Sequence, residues 1–368
     1  MLLLFLLPAA YQLLALVAAL LFLLRRAAER NPALPDPAPA VSVLKPLRGL
    51  DPNTEAAFRS HIQQDYGAFE VLFGVASEQD PAVPVVRRLQ AEFPSAPIRL
   101  IIGAPATANG KVGVLMALGD HAKHHTWVVN DSDIRVDPGY LRRVTAPLAD
   151  PRIGLVTCPY RARPHCLPAA WEAFGIAVDF IPSTLVAPLV GVREFGLGST
   201  LAFRAEDLRR AGGFESFSDY LADDYQLAKH IVALGKRALL STYVVETSLG
   251  EDRWRGVWRH QLRWARTIRA SKGAGYAGLP ITHAGVWILV LTVAHAWRYA
   301  LLLWAVRTLT ALLAGGFVSQ SALAGAFCWL APLWDLFAFA VWLGSYRSRR
   351  VEWRGKKLAI DKQGRIAS

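Results

Sequence analysis

The stretch Trp127–Val136, WVVNDSDIRV, holds the first group of side chains that can do chemistry. Its apolar, β-branched lead-in has strand character and ends abruptly at Asn130, after which Asp131 and Asp133 follow at i and i+2. Two carboxylates so spaced at the exit of a strand can turn toward one hard cation. Carboxylate oxygen suits Mg²⁺ or Mn²⁺, ions that keep positions open for substrate phosphates. A lone Asp-Ser-Asp is also a common Asx-rich turn, so the pair takes its meaning from the rest of the chain. YLADDYQLAKHI sets Asp223 and Asp224 just ahead of a helical pattern. There they act as helix caps, or one is a general base at the mouth of a crevice. RWRGVWRHQLRWARTIRAS, from Arg253 to Ser271, places arginines among Trp254, Trp258 and Trp264. That is the pattern of a basic amphipathic helix on a membrane surface. Within it Arg263 can also grip a diphosphate through its planar fork while Trp264 closes the pocket.

These groups need a scaffold, and the chain before and around them supplies one. VSVLKP, FEVLFGVA, IRLII, TWVVN and IGLVTC are short strand-like runs, with helix-compatible stretches beginning near Pro52, Pro81, Lys111 and Pro138. Alternation of this kind predicts an α/β domain with a parallel sheet covered on both faces. Ligands of such sheets bind outside the carboxyl ends of the strands. Lys45 and Pro46, Ser77 to Asp80, and Asn130 to Asp133 are therefore expected to line one crevice. In FGLGST, Gly196 and Gly198 to Thr200 are expected to shape the acceptor side, because glycine permits close approach.

Composition points to a membrane. Of 368 residues 53% are hydrophobic, too many for an ordinary soluble enzyme, and the net charge is +12. The basic excess sits beside apolar segments, at Arg25 and Arg26, from Arg253 to Lys272, and from Arg347 to Lys357. It reads as attraction to an anionic membrane surface, not to nucleic acid. The run up to Leu24 is uncharged and long enough for the roughly 30 Å hydrocarbon core. Arginines follow it instead of preceding it, which favours an anchor over a cleaved signal peptide. Residues 283–304 and 322–345 are the C-terminal candidates, with residues 281–316 alternatively forming two short re-entrant helices. Arg298 and Asp335 interrupt them, either as an intramembrane pair or with Arg298 snorkelling. The three cysteines have neither disulfide-framework nor zinc spacing. The expected organisation is an anchor (1–30), a proline-rich linker (31–40), a catalytic domain (41–252), a basic interfacial segment (253–280), about two membrane helices (281–346) and a basic tail (347–368). The positive-inside distribution places the catalytic domain and tail in the cytosol, and alanine- and arginine-rich usage suggests a bacterial inner membrane.

Taken in order, VSVLKPLRGLDPN, SEQDPAVPVVRRL, NDSDIRV, LADDYQLAKHI and HQLRW resemble the ceramide glucosyltransferase family, from about Val41 to Ser271 and again in the C-terminal PLWDLFAF and VEWRG. The resemblance implies an inverting, nucleotide-sugar-dependent enzyme with a GT-A fold, Rossmann-like and mainly parallel. It implies that Asp80 lies near the nucleotide base and ribose, that Asp131 opens the metal motif with Asp133 completing it, and that Asp224 is the general base. Arg263 and Trp264 match the end of a (Gln/Arg)-x-x-Arg-Trp motif. His260 fills the slot usually held by Gln or Arg, which puts a fixed positive charge there in doubt. Lys111, in ANGKVGVL, is a further candidate contact to diphosphate or nucleotide. The chemistry is coherent without the family name. Loss of UDP from a sugar C1 leaves charge that a divalent ion and Arg263 can stabilise, while Asp224 takes the acceptor proton. The expected reaction moves glucose from UDP-glucose to a ceramide or sphingoid hydroxyl. A hopanoid polyol accepting N-acetylglucosamine is the nearest alternative, and a processive polysaccharide synthase a further one.

Overall fold

The computed structural model describes residues 2–29, 34–51, 53–250, 253–353 and 356–367. Residue 30 of the expected anchor, residues 31–33 of the expected linker, the helix start at Pro52 and residues 251–252 at the end of the expected catalytic domain lie outside the described residues. The chain divides into two units, one of Glu29–Tyr160 and Arg193–Ser248, the other of Met1–Ala28, Arg161–Val192 and Leu249–Ser368.

The first unit is built on a sheet of seven strands. In chain order the strands as far as Ser248, in this sheet or outside it, are β1 (Val41–Pro46), β2 (Phe69–Val75), β3 (Ile98–Ile102), β4 (Thr126–Val129), β5 (Ile153–Thr157), β6 (Tyr160–Arg163), β7 (Leu201–Arg204), β8 (Arg237–Leu240) and β9 (Val245–Ser248). The order across the sheet is β3-β2-β1-β4-β7-β5-β8, with β6 and β9 outside it. β1 pairs in parallel with β2 and β4, β2 with β3, and β5 with β8, whereas β7 runs antiparallel to β4 and β5. The five expected strands are all present. The two missed strands of the sheet are β7 and β8, whose LAFR and RALL are too short to show a period.

Alternating side chains of each central strand bury on opposite faces, as the two-residue repeat requires. Val41, Val43, Val71, Phe73 and Val128 pack on one side with Phe58, Val86, Leu89 and Tyr140. Leu44, Leu72, Val129 and Phe203 pack on the other with Leu115, Leu118, Leu227 and Ile231. Helices at Thr54–Ile62, Ala82–Glu92, Gly110–His121 and Tyr140–Thr145 follow the expected starts. The sheet is thus mainly parallel and covered on both faces, the α/β architecture that the GT-A resemblance implies.

The second unit is helical. Among the described residues four helices are long and apolar enough to cross a membrane: Phe5–Ala28, Leu167–Val186, Trp297–Val318 and Ala322–Ser345. A further pair, Gly275–Ile281 and Ala284–Val293, is bent by 49°. The expected span 283–304 is thus interrupted, and residues 281–316 hold two helices, as its alternative has it. The chain breaks after Val293, where His295 takes a φ of 57°, and a new helix starts at Trp297. Leu167–Val186, inside the expected catalytic domain (41–252), packs within the helical unit. Its Gly175 lies flat against Trp334, where an added Cβ would fall 1.9 Å from the indole. Trp334 also donates to Asp179 at 3.1 Å. The Arg298–Asp335 pair does not form. Asp335 pairs instead with Arg307, at 2.7 and 2.9 Å, while Arg298 is exposed over the ring of Trp297.

Candidate active site

The carboxyl ends of β1 and β4 and the loop ahead of β7 supply the frame of the site. Lys45, next to last in β1, is wholly buried and its Nζ donates to the Asp131 carbonyl at 2.7 Å. Burial pushes this amine down to about 7, against the opposing pull of Asp133 and Asp131. Lys45 thus supports the Asp131 loop from beneath, and Pro46 ends the strand beside it. Asp80 accepts the Gly49 N–H at 3.0 and 3.1 Å and the Ala82 N–H at 2.9 Å. Its carboxylate pins the loop after β1, where Gly49 has a φ of 72°.

Lys111 is placed by its helix. Asn109 accepts the Lys111 N–H at 3.1 Å and donates to the Tyr220 carbonyl at 2.8 Å, a cap that fixes the first turn. From there the Lys111 ammonium lies 2.8 Å from Asp131 Oδ1 and 2.9 Å from Asp223 Oδ2. Burial opposes its charge, yet Asp131, Asp223 and Asp224 outweigh that and raise its pKa. Lys111 is a fixed cation.

Asp223 and Asp224 open the helix Asp223–Ala233, but Ala222 holds the N-cap position. Asp224 Oδ2 accepts the Gly198 N–H at 3.0 Å and Oδ1 the Tyr225 N–H at 2.7 Å. The Gly198 carbonyl accepts the Asp131 N–H at 3.0 Å. A Cβ at position 198 would sit 2.5 Å from Asp131 Oδ2, so only glycine lets the loop pass so close to Asp131. Burial and the charge of Asp223 push Asp224 up to about 6. Asp133 accepts the Thr247 hydroxyl from β9, and burial with the Asp131 charge pushes it up to about 6.

His260, Arg263 and Trp264 belong to the helical unit, on the helix Trp254–Ala277. His260 Nδ1 is 2.5 Å from Glu172 Oε1, and Gln261 donates to the same oxygen at 2.7 Å. Glu172 is wholly buried, and its Oε2 has no hydrogen-bond partner among the described residues. The Trp264 ring packs on His260 and on Phe180, with centroids 4.9 and 6.1 Å apart.

A family model described as glycosyl transferase family 21 matches residues 4–366. The chain belongs to that family. Among curated relatives it is similar to ceramide glucosyltransferase 1 of Caenorhabditis elegans, 32% identical over 213 residues, covering 57% of this chain and 46% of the worm protein. It is similar to ceramide glucosyltransferase 3 of the same organism at 27% identity, covering 56% and 45%. The matched part spans about half the length of these curated relatives. Among solved structures, a mannosyltransferase of Pyrobaculum calidifontis in complex with GDP-Man and Mn²⁺ is 23% identical, with a TM-score of 0.49, covering 93% of this chain and 99% of that one.

For this family 21 chain the metal question turns on the donor set. Among the described residues no cluster of three His, Cys, Asp or Glu side chains could hold an ion. Asp131 and Asp133 nevertheless offer only hard carboxylate oxygens, Asp131 is 42% exposed, and Lys111 engages one of its oxygens. Such a pair fits a Mg²⁺- or Mn²⁺-type ion that completes its shell with water and phosphate. Sequence reasoning missed Glu172 and Thr247. A lone Glu inside the apolar run LPAAWEAFGIAV signals a buried carboxylate in need of a partner, whereas nothing marks Thr247.

Proposed function

We propose that this family 21 chain is a membrane-anchored glycosyltransferase that moves glucose from UDP-glucose to a ceramide or sphingoid hydroxyl with inversion at the anomeric carbon. The observation that carries this reading is the linked set Asp131–Lys111–Asp223, with Asp224 held by Gly198, at the carboxyl ends of a parallel sheet. Asp131 and Asp133 would hold the divalent cation, which supplies charge to offset the leaving diphosphate. Lys111, fixed as an ammonium between Asp131 and Asp223, adds a permanent positive charge on the donor side. Asp224, raised toward neutrality, takes the acceptor proton as the hydroxyl attacks the sugar carbon from the face opposite the diphosphate. Direct displacement turns an α-linked donor into a β-glycoside. Arg263 and Trp264 enter through their match to the Arg-Trp motif, with Arg263 offering a bidentate fork for the diphosphate. Asp80, holding the β1 loop, would set the nucleotide end. The apolar helices would keep the enzyme at the bilayer that contains its acceptor, with the catalytic unit on the cytosolic side.

Mass spectrometry of lipid products from purified protein tests this, with ceramide and hopanoid acceptors offered in parallel with several UDP-sugars. The expected product is ceramide plus one hexose from UDP-glucose. An N-acetylhexosamine adduct of the hopanoid alone would reassign donor and acceptor, a polymer ladder would indicate a processive synthase, and release of UDP without lipid product would remove the lipid-transfer reading.

A further inference from the structure

A cavity of about 570 Å³ lies in the helical unit, lined by the helix Trp254–Ala277 near its kink at Gly273, by the residues after Ser345, and by the C-terminal strands. Arg266, Arg269, Arg347, Arg349 and Lys362 line it, and Asp361 is the acidic residue among the described lining side chains. Asp361 is engaged by its own turn, where Oδ1 accepts the N–H groups of Gln363 at 2.7 Å and Arg365 at 2.9 Å. None of the five cations has an ion-pair partner among the described residues. Arg266 and Arg269 donate only to main-chain carbonyls, of Arg350 at 2.7 Å and Ser348 at 3.0 Å, and Arg266 Nε is buried with no partner. Burial and the neighbouring Arg269 push the Arg266 pKa down, the mark of cations crowded without counter-charge.

The position narrows the ligand. Tyr346 follows directly on the last residue of the candidate span Ala322–Ser345, and its ring packs on Trp342 with centroids 5.1 Å apart. Trp and Tyr at the end of an apolar helix mark the membrane–water boundary. Arginine forks match phosphate oxygens in pairs, and basic pockets at such boundaries take anionic headgroups.

We propose that this cavity is a binding site for the phosphate headgroup of an anionic phospholipid, held by Arg266 and Arg269 from one side and Arg347, Arg349 and Lys362 from the other. The site rests on the reading that the apolar helices lie in a bilayer, and it is independent of the sugar chemistry. The test uses the full chain in nanodiscs of phosphatidylcholine alone or mixed with phosphatidylglycerol, with retained lipid read by native mass spectrometry. The unmodified protein should retain phosphatidylglycerol in preference. Arg266→Gln should lower that preference about tenfold, as expected for one lost charge-assisted hydrogen bond. Arg347→Gln with Arg349→Gln should lower it too, and these exposed side chains leave the helix packing untouched. No preference in the unmodified protein, or an undiminished one in both variants, overturns the site. If inorganic phosphate raised the unfolding temperature in phosphatidylcholine discs as much as phosphatidylglycerol does, the ligand would be a soluble anion and the lipid assignment would fall. Failure of the membrane reading shows separately, as a monodisperse protein without detergent.

Discussion

Lys111 decides how the acids of the candidate site behave. Asp131, Asp223 and Asp224 crowd one region, and a single ammonium within 2.9 Å of two of them offsets their repulsion. Asp224 still stands at about 6, so its basic form grows as pH rises through that value. Turnover should therefore climb about tenfold per pH unit below the midpoint and level off above it. Lys111→Met removes the cation that lowers Asp224, so the midpoint should move to higher pH and affinity for a UDP-sugar should fall. A pH–rate profile with the midpoint unmoved would exclude Lys111 from this role. The types of these residues were legible in the sequence, since acids and a lysine after strands ask for a polar ligand. Their pairings were not: Lys111 and Asp223 come together only through the fold. The same holds for His260. Its departure from Gln or Arg left the charge there open, whereas the buried Glu172 carboxylate fixes Nδ1 as a donor and leaves Nε2 as the other polar atom of the ring. Glu172→Gln should weaken donor binding while the protein still folds, and titration with UDP checks it.

At the scale of elements, helix breaks determine which charges meet. From sequence, Arg298 is the expected partner of Asp335, with snorkelling as its alternative, and Arg307 goes unnoticed. The break after Val293 restarts the helix at Trp297 and leaves Arg307, not Arg298, buried at 2% exposure against Asp335. Asp335 also accepts the Gly285 N–H at 2.9 Å, so one carboxylate joins the last helix to Trp297–Thr310 and to Ala284–Val293. Removing one partner leaves a buried charge uncompensated. Asp335→Asn should cost about 3–5 kcal/mol, read as a lower unfolding temperature in detergent, and adding Arg307→Leu to an Asp335→Leu background should recover much of the loss. Equal, additive losses would mean the two residues act separately. The parallel strands were easier to read, because the central ones, β1 and β2, are buried on both faces and show as mostly apolar runs.

At the scale of the molecule, the sheet constrains the topology. The chain leaves the sheet unit at Tyr160 and returns at Arg193, and β5 from before this excursion lies between β7 and β8 from after it. Strands of one sheet share one side of a bilayer, so Leu167–Val186 cannot be a single crossing, although its length and apolarity permit one. In a bilayer it would enter and leave on the same side. Composition cannot reveal this, since it reports how apolar a helix is and not what its flanks join. His165→Cys and Arg193→Cys, both exposed and flanking the segment, should react with an impermeant thiol reagent from the same side as Ser77→Cys in a cysteine-free background. Labelling of the two flanks from opposite sides would contradict the shared sheet.

Asp224 as the base of a sugar transfer is tested directly by one substitution. Asp224→Asn keeps the shape and still accepts the Gly198 N–H, but it cannot take a proton. UDP-glucose-dependent transfer to lipid, measured alongside UDP binding by calorimetry, should fall by about 10²–10⁴-fold with binding little changed. Retained transfer in Asp224→Asn, with loss in Asp223→Asn instead, would move the base one residue back. Retained transfer in both would contradict the account.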